Sequence, residues 1–193
     1  MDFNKSTQPN KLLQMIVSDV NPGDRFLDLG CGRGRDSLFM AGRGLNVTAI
    51  DSSATNIENI QQYLKNNPQL KDKIELLNQD ISNFIIPENK YKIINVFNSL
   101  QFLPKENALF LISGIKEDLM DGGYIIIAGF TVDDPLYQKP ANQNKCFFTP
   151  NELKNLFSDF KIIFYEEKLI DDAGHIGYLE PHQHFVARLV AEK

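Results

Sequence analysis

A chain of 193 residues, 42% hydrophobic and 23% charged, is long enough for one domain with a sizeable core. Its net charge of -5, with both signs interspersed, argues against a nucleic-acid partner, which needs a basic stripe. Two cysteines, Cys31 and Cys146, argue against a disulfide framework and fit a cytoplasmic setting, while the polar opening and the short apolar runs give no secretory or membrane signal.

The first expected element is a helix from Lys11 to Val20, with Leu12, Leu13, Ile16, Val17 and Val20 on one face. With the polar residues before it, this makes an N-terminal cap over residues 1–22, closed by the turn Asn21-Pro22-Gly23-Asp24. Phe26 to Leu29 reads as a strand. Gly30, Gly32 and Gly34 follow at alternate positions, with Cys31 inside the turn they make. A helix from Arg35 to Gly42 leads to a second apolar run, Val47 to Ile50, that ends in Asp51. Glycine lets the turn take positive φ and lets a ligand lie against the backbone, next to the unpaired NH groups of the following helix. An acid at the end of the second strand can accept hydrogen bonds from ribose hydroxyls. The stretch therefore proposes a site for a ribose-bearing cofactor. A dinucleotide fingerprint would put its third glycine at Arg35 or Ser37, and Asp28, just before the turn, suits an ammonium and would repel a pyrophosphate.

Ser52-Ser53-Ala54 opens a helix to about Asn66, with Ile57, Ile60, Tyr63 and Leu64 as its stripe; Ser52 either lines the cofactor or caps this helix. Lys73 to Asp80 reads as a third strand and Tyr91 to Asn98 as a fourth. Glu106 to Met120 is expected as a helix with Leu109, Phe110, Ile112, Ile115 and Leu119 inward. Asp121-Gly122-Gly123 then turns into Tyr124–Phe130, an apolar run buried on both faces. Residues 131–148 have no periodicity and read as a lid over the site, against the alternative of a surface insertion. Thr149-Pro150-Asn151-Glu152 is a capping box for a helix to about Ser158. Lys161–Ile170 and His184–Ala191 are strands with no helix between them, so they should pair antiparallel.

The pattern Asp28-x-Gly30-x-Gly32-x-Gly34, followed by Asp51, resembles the first motif of the class I S-adenosylmethionine (SAM) methyltransferases. The resemblance implies a single α/β domain over 1–193: a Rossmann-like, doubly wound seven-stranded sheet, mostly parallel, with a C-terminal antiparallel hairpin. It implies Asp28 near the methionyl ammonium and Asp51 on the ribose. Asp80 would accept the adenine amino group, or else cap its own loop, and Ile81 would pack on the ring. Gly30, Cys31, Gly32, Gly34, Ser52 and Asn98 would line the remainder. The implied activity is SAM-dependent methylation of a small molecule, releasing S-adenosylhomocysteine, by a monomer or homodimer with no nucleic-acid or membrane partner. The LDLGCGRGRDS motif, the DGGY strand, the FTPNEL helix and a histidine-bearing last hairpin look like the tellurite-resistance methyltransferases and their small-molecule-methylating relatives. The acceptor is then a chalcogen oxyanion such as tellurite, or a thiol, nitrogen or oxygen nucleophile.

All three histidines, His175, His182 and His184, fall near that hairpin. They can be a metal pair with Asp171, Asp172, Glu180 or His175 as third ligand, an acceptor-facing pair, or histidines at a rim. H-x-H spacing alone does not indicate a metal. The expectation is that His182 and His184, with His175 third, orient or deprotonate the acceptor, and that no metal is held. The competing readings are a SAM-binding sensor or partner protein without catalysis, and a nicotinamide-dependent oxidoreductase.

Overall fold

Successive residues of a strand point to opposite faces of its sheet, and apolar residues on both faces of this chain's strands demand cover on both sides. The computed structural model, which describes residues 8–173 and 180–193, supplies that cover with helices. Five parallel strands, Arg25–Leu29 (β1), Asn46–Asp51 (β2), Ile74–Asn78 (β3), Tyr91–Phe97 (β4) and Leu119–Phe130 (β5), are joined by an antiparallel pair, Lys161–Asp172 (β6) and His182–Glu192 (β7). The order is β3-β2-β1-β4-β5-β7-β6, so β7 inserts between β5 and β6. This is the doubly wound α/β sheet with a terminal antiparallel hairpin that the sequence implied.

One face is packed by Lys11–Gln14 (α1), Arg35–Gly42 (α2) and Ala54–Lys65 (α3), through Leu13, Met40 and Ile60 against Phe26, Ile93 and Ile126. The other face is packed by Lys105–Asp118 (α4) and Glu152–Leu156 (α5), through Ile112, Ile115 and Leu153 against Leu27, Ile94 and Ile125. The chain leaves β1 toward β2 on one side and reaches β4 on the other. That reversal opens a crevice at the carboxyl ends of β1 and β4, the place where such sheets bind ligands.

Several boundaries differ from expectation. The first helix stops at Gln14, and Val17–Asp19 form a 3₁₀ turn. The β-branched Ile16-Val17 and the polar Ser18-Asp19 are weak helix formers, and Ile16 leaves the helical region at φ -113°. Leu12, Leu13, Ile16 and Val20 are nonetheless buried as the pattern required. In α4 the buried stripe is Ala108, Leu111, Ile112 and Ile115, and Phe110 is 78% exposed rather than inward. Residues 108–112 are all apolar, so the run carries no phase of its own, and the i, i+3, i+4, i+7 set with Ile115 decides it. Asp121-Gly122-Gly123 do not separate two elements: they lie inside β5 where its register against β4 shifts, with Gly122 at φ +67°. The capping box forms, with Glu152 accepting from the Thr149 amide at 2.8 Å, but Asn151 is left-handed and α5 ends at Leu156. β6 and β7 are each longer than expected, to Asp172 and from His182.

Candidate active site

The site begins with two polar residues in apolar strands. Asp28 and Asn95 are register partners across β1 and β4, on the face covered by α1 and α2. Asn95 Nδ2 donates to Asp28 Oδ1 at 2.8 Å, and Ser37 Oγ donates to Asp28 Oδ2. Beside them Asp36, in the first turn of α2, accepts from the Asn10 amide and from Asn10 Nδ2, each at 2.8 Å, and pairs with Arg35 at 3.0 Å. Asn10 also caps α1, so the N-terminal segment is tied directly into this network. Burial pushes the Asp28 carboxyl up to about 7, and the Asp36 charge adds to it; Ser37, Asn95 and Arg35 hold it down in part.

The glycine turn stands over this pair. Gly30, Gly32 and Gly34 all have positive φ. A Cβ on Gly30 would lie 2.5 Å from Ser99 Cβ, and one on Gly34 would lie 2.9 Å from Ile60, so these two glycines serve close packing. A Cβ on Gly32 meets nothing within 4 Å: this glycine faces open space. Asp51 steers the turn from β2. Its Oδ2 accepts from the Gly32 amide at 2.8 Å, and its Oδ1 accepts from the Ser53 amide and Asn56 Nδ2. A carboxylate has about four acceptor positions, so three are engaged within the protein. Ser53, not Ser52, caps α3, which leaves Ser52 exposed beside Asp51.

A cleft of about 1330 Å³ runs over these groups. Asp28, Gly30, Cys31, Gly32, Asp51, Ser52, Asp80, Ile81 and Asn98 line it, all from the expected set; Gly34 packs against Ile60 and does not line it. Asp80 caps the 3₁₀ turn Ile81–Asn83 through Oδ1, which accepts from Ser82 at 2.8 Å, so the capping role is filled while the residue still faces the cleft. Burial, with the charges of Asp28 and Asp51, pushes the Cys31 thiol far up and disfavours its thiolate form. Asn98 is held at φ +54°, and its buried Oδ1 has no partner among the described residues. A strained residue with an orphaned acceptor facing a cleft marks a place where a ligand donor is wanted.

Sequence reasoning missed Asn10, Ser37, Asp36 and Asn95, which build the acid's surroundings; Ser99, Phe102 and Leu103 close the cleft beyond Asn98. A polar side chain inside an apolar strand, as Asn95 is in Tyr91–Phe97, was the available signal for the first group. Phe102 is 72% exposed at the cleft.

His182 and His184 come together on one face of β7, and His175 lies outside the described residues. Their Nε2 atoms are 2.9 Å apart. His184, 4% exposed, stacks on Phe130 at the end of β5 and meets the buried Asp134 at 2.9 Å through Nδ1. Neither histidine lines the cleft. The segment 131–148 supplies Asp134 and docks through Phe147 and Phe148, both buried.

The family model described as "Tellurite resistance protein TehB" matches residues 4–175. The "Probable S-adenosyl-L-methionine-dependent methyltransferase TehB" of Haemophilus influenzae is 32% identical over 75% of this chain and 49% of its own length. A "Carboxy-S-adenosyl-L-methionine synthase" of a Geobacter species is 28% identical over 77% of this chain and 64% of its own. The chain thus spans about half to two thirds of these curated relatives. Among solved structures, TehB from Haemophilus influenzae superposes with a TM-score of 0.81 at 26% identity, covering 99% of this chain and 64% of that one. A magnesium protoporphyrin IX methyltransferase from Synechocystis with bound SAM shares the fold at a TM-score of 0.65 and 19% identity, over 94% of this chain and 76% of that one.

Proposed function

Because the chain belongs to the TehB tellurite-resistance protein family, we propose that it is a SAM-dependent methyltransferase acting on a small-molecule acceptor. The observation that carries the reading is the pairing of Asp28 and Asp51 on either side of a glycine turn whose middle member, Gly32, faces open space. Relatives of both kinds carry S-adenosyl-L-methionine in their names, so the cofactor rests on both and the acceptor on neither.

The residues fit that cofactor. Asp28 offers the methionyl ammonium a carboxylate, and Asn98 Oδ1 offers a second acceptor from the end of β4. Asp51 keeps one acceptor position for a ribose hydroxyl, and Asp80 with Ile81 forms an acid and an apolar wall for the adenine. When bound, the cofactor supplies a methyl group activated by a sulfonium, so the protein has to align a nucleophile behind that methyl and keep water out. Ser99, Phe102 and Leu103 form the wall where the acceptor would lie, and Phe102 would help to exclude water there. The volume exceeds the ~300–1,000 Å³ usual for one small ligand, which leaves room for cofactor and acceptor together.

The acceptor class that fits is a small nucleophile with an available lone pair, a chalcogen oxyanion such as tellurite or a thiolate. His182 and His184 stand at the same carboxyl edge of the sheet, beyond β5. The segment 131–148 would act there as a lid. Titration calorimetry with S-adenosylhomocysteine, with NAD as control, tests the reading: micromolar binding of the first alone is expected, and absence of binding would overturn it.

A further inference from the structure

The facing imidazoles pose a problem of lone pairs. His182 Nδ1 lies 2.8 Å from the Glu180 carbonyl, which can only accept, so Nδ1 carries the proton. His184 Nδ1 lies 2.9 Å from the Asp134 carboxylate, which already accepts from the Phe185 amide, so this Nδ1 is the donor as well. Each ring's proton is thus fixed on its outer nitrogen, and the two Nε2 lone pairs converge at 2.9 Å. Lone pairs at that separation repel unless a positive centre, a shared proton or a metal cation, lies between them. Asp172, the cross-strand partner of His182 on β6, brings a carboxylate to the same point, and the donor atoms of all three lie within 4.8 Å of one another.

We infer that His182, His184 and Asp172 form a binding site for a divalent transition-metal cation of the zinc class. Two imidazoles and a carboxylate are the donor set of an open zinc site, with one position left for an exogenous ligand. Bonds of about 2.0–2.1 Å put tetrahedral ligand atoms about 3.3 Å apart, which side-chain rotation reaches from the present spacing. The Asp134 and Glu180 contacts are the outer hydrogen bonds that metal-bound histidines require, since they fix the tautomer and aim Nε2 inward. Asp134 is fully buried and also accepts from Leu136 and Phe185, so it is held rigidly. The assignment revises the expectation from spacing alone that no metal is held, and it makes the pair ligands rather than proton acceptors. It does not depend on the methyl-transfer reading.

The test uses the tag-free, chelator-stripped 193-residue chain titrated with Zn²⁺ by calorimetry, with Co²⁺ as a spectroscopic probe. One equivalent of zinc is expected to bind and raise the melting temperature, and cobalt should give the intense visible bands of a four-coordinate site. His182→Ala and Asp172→Asn lie at the part-exposed side of the cluster and should fold; each should weaken zinc binding at least tenfold and abolish the cobalt bands. Asp171→Asn, an exposed neighbour, should change nothing. No zinc uptake by the parent protein, or uptake unaltered in both His182→Ala and Asp172→Asn, would overturn the inference. S-adenosylhomocysteine binding measured in chelator separates this outcome from failure of the cofactor reading.

Discussion

At the scale of single residues, Asp28 sets the sharpest expectation. Its carboxyl sits near 7 because burial and Asp36 disfavour its charge. The folded pKa lies above the unfolded value, so between about pH 4 and 7 the folded state binds more protons than the unfolded one. Stability therefore falls as pH rises through that window, the reverse of a salt-bridged aspartate. A ligand ammonium needs the ionised form, so affinity for S-adenosylhomocysteine should rise about tenfold from pH 6 to pH 8, with proton uptake by buffer seen in calorimetry. Asp28→Asn should bind weakly and flatten both dependences; an Asp28→Asn variant that keeps the pH-dependent affinity would remove Asp28 as the cause. Asp51 behaves differently. Three of its acceptor positions hold the glycine turn and the start of α3, so Asp51→Ala should weaken cofactor binding by an order of magnitude or more and also lower stability, by ~1–3 kcal/mol. Urea unfolding alongside the titration checks both halves. The acids were legible in the sequence because Asp51 ends its strand and Asp28 stands just before the glycine turn. Their supporting partners were not, because Asn10, Ser37 and Asn95 meet Asp28 and Asp36 only once separate elements pack, as with Asn10 and Asp36, 26 residues apart.

At the scale of elements, the glycine turn separates packing from binding. Gly30→Ala puts a methyl against Ser99 and a Cβ at φ +77°, so it should cost ~2–5 kcal/mol of stability through overpacking and backbone strain together. Gly32→Ala keeps the strain at φ +55° but meets nothing, so it should cost only ~1–2 kcal/mol and act chiefly by blocking the ligand. Equal effects of the two on both urea unfolding and ligand titration would contradict the division. The motif itself was readable as a turn, but which glycine faces the ligand was not, since that depends on Ser99 and Ile60 from β4's end and α3. Helix phase shows the same limit. In α3 Ile57, Ile60 and Leu64 fixed the inward face from sequence, while Tyr63 of the expected stripe is only half-buried. In α4 five successive apolar residues left it open, and the fold exposed Phe110. The short first helix failed for a local reason, the Ile16-Val17-Ser18-Asp19 run, which is visible in the sequence once propensity is weighed beside periodicity.

At the scale of the whole molecule, the sheet order explains why the cleft and the histidine cluster are distinct. β1 and β4 part at the crevice that holds Asp28 and Asn98, while β5 and β7 lie two and three strands from β1 and carry Phe130 and His184. The strand count and the antiparallel ending were legible from apolar runs and from the missing helix before the last strand. The seating of residues 131–148 was not, because that segment has no periodicity and is placed by tertiary contacts: Phe148 packs over Gly129, its amide donates to Phe130, and Cys146 donates to Leu103. Phe148 belongs to the same core as Ile112, Ile127 and Leu189. Phe148→Ala should therefore lower the stability of the entire domain by ~3–5 kcal/mol, as for a large aromatic removed from a core. Urea unfolding followed by far-UV circular dichroism should still show one cooperative transition, shifted to lower denaturant with an unchanged slope. An early, separate transition or a lowered slope would mean that the segment unfolds by itself. Its anchored end would then be part of the lid, and Asp134 would leave His184 before the sheet gives way.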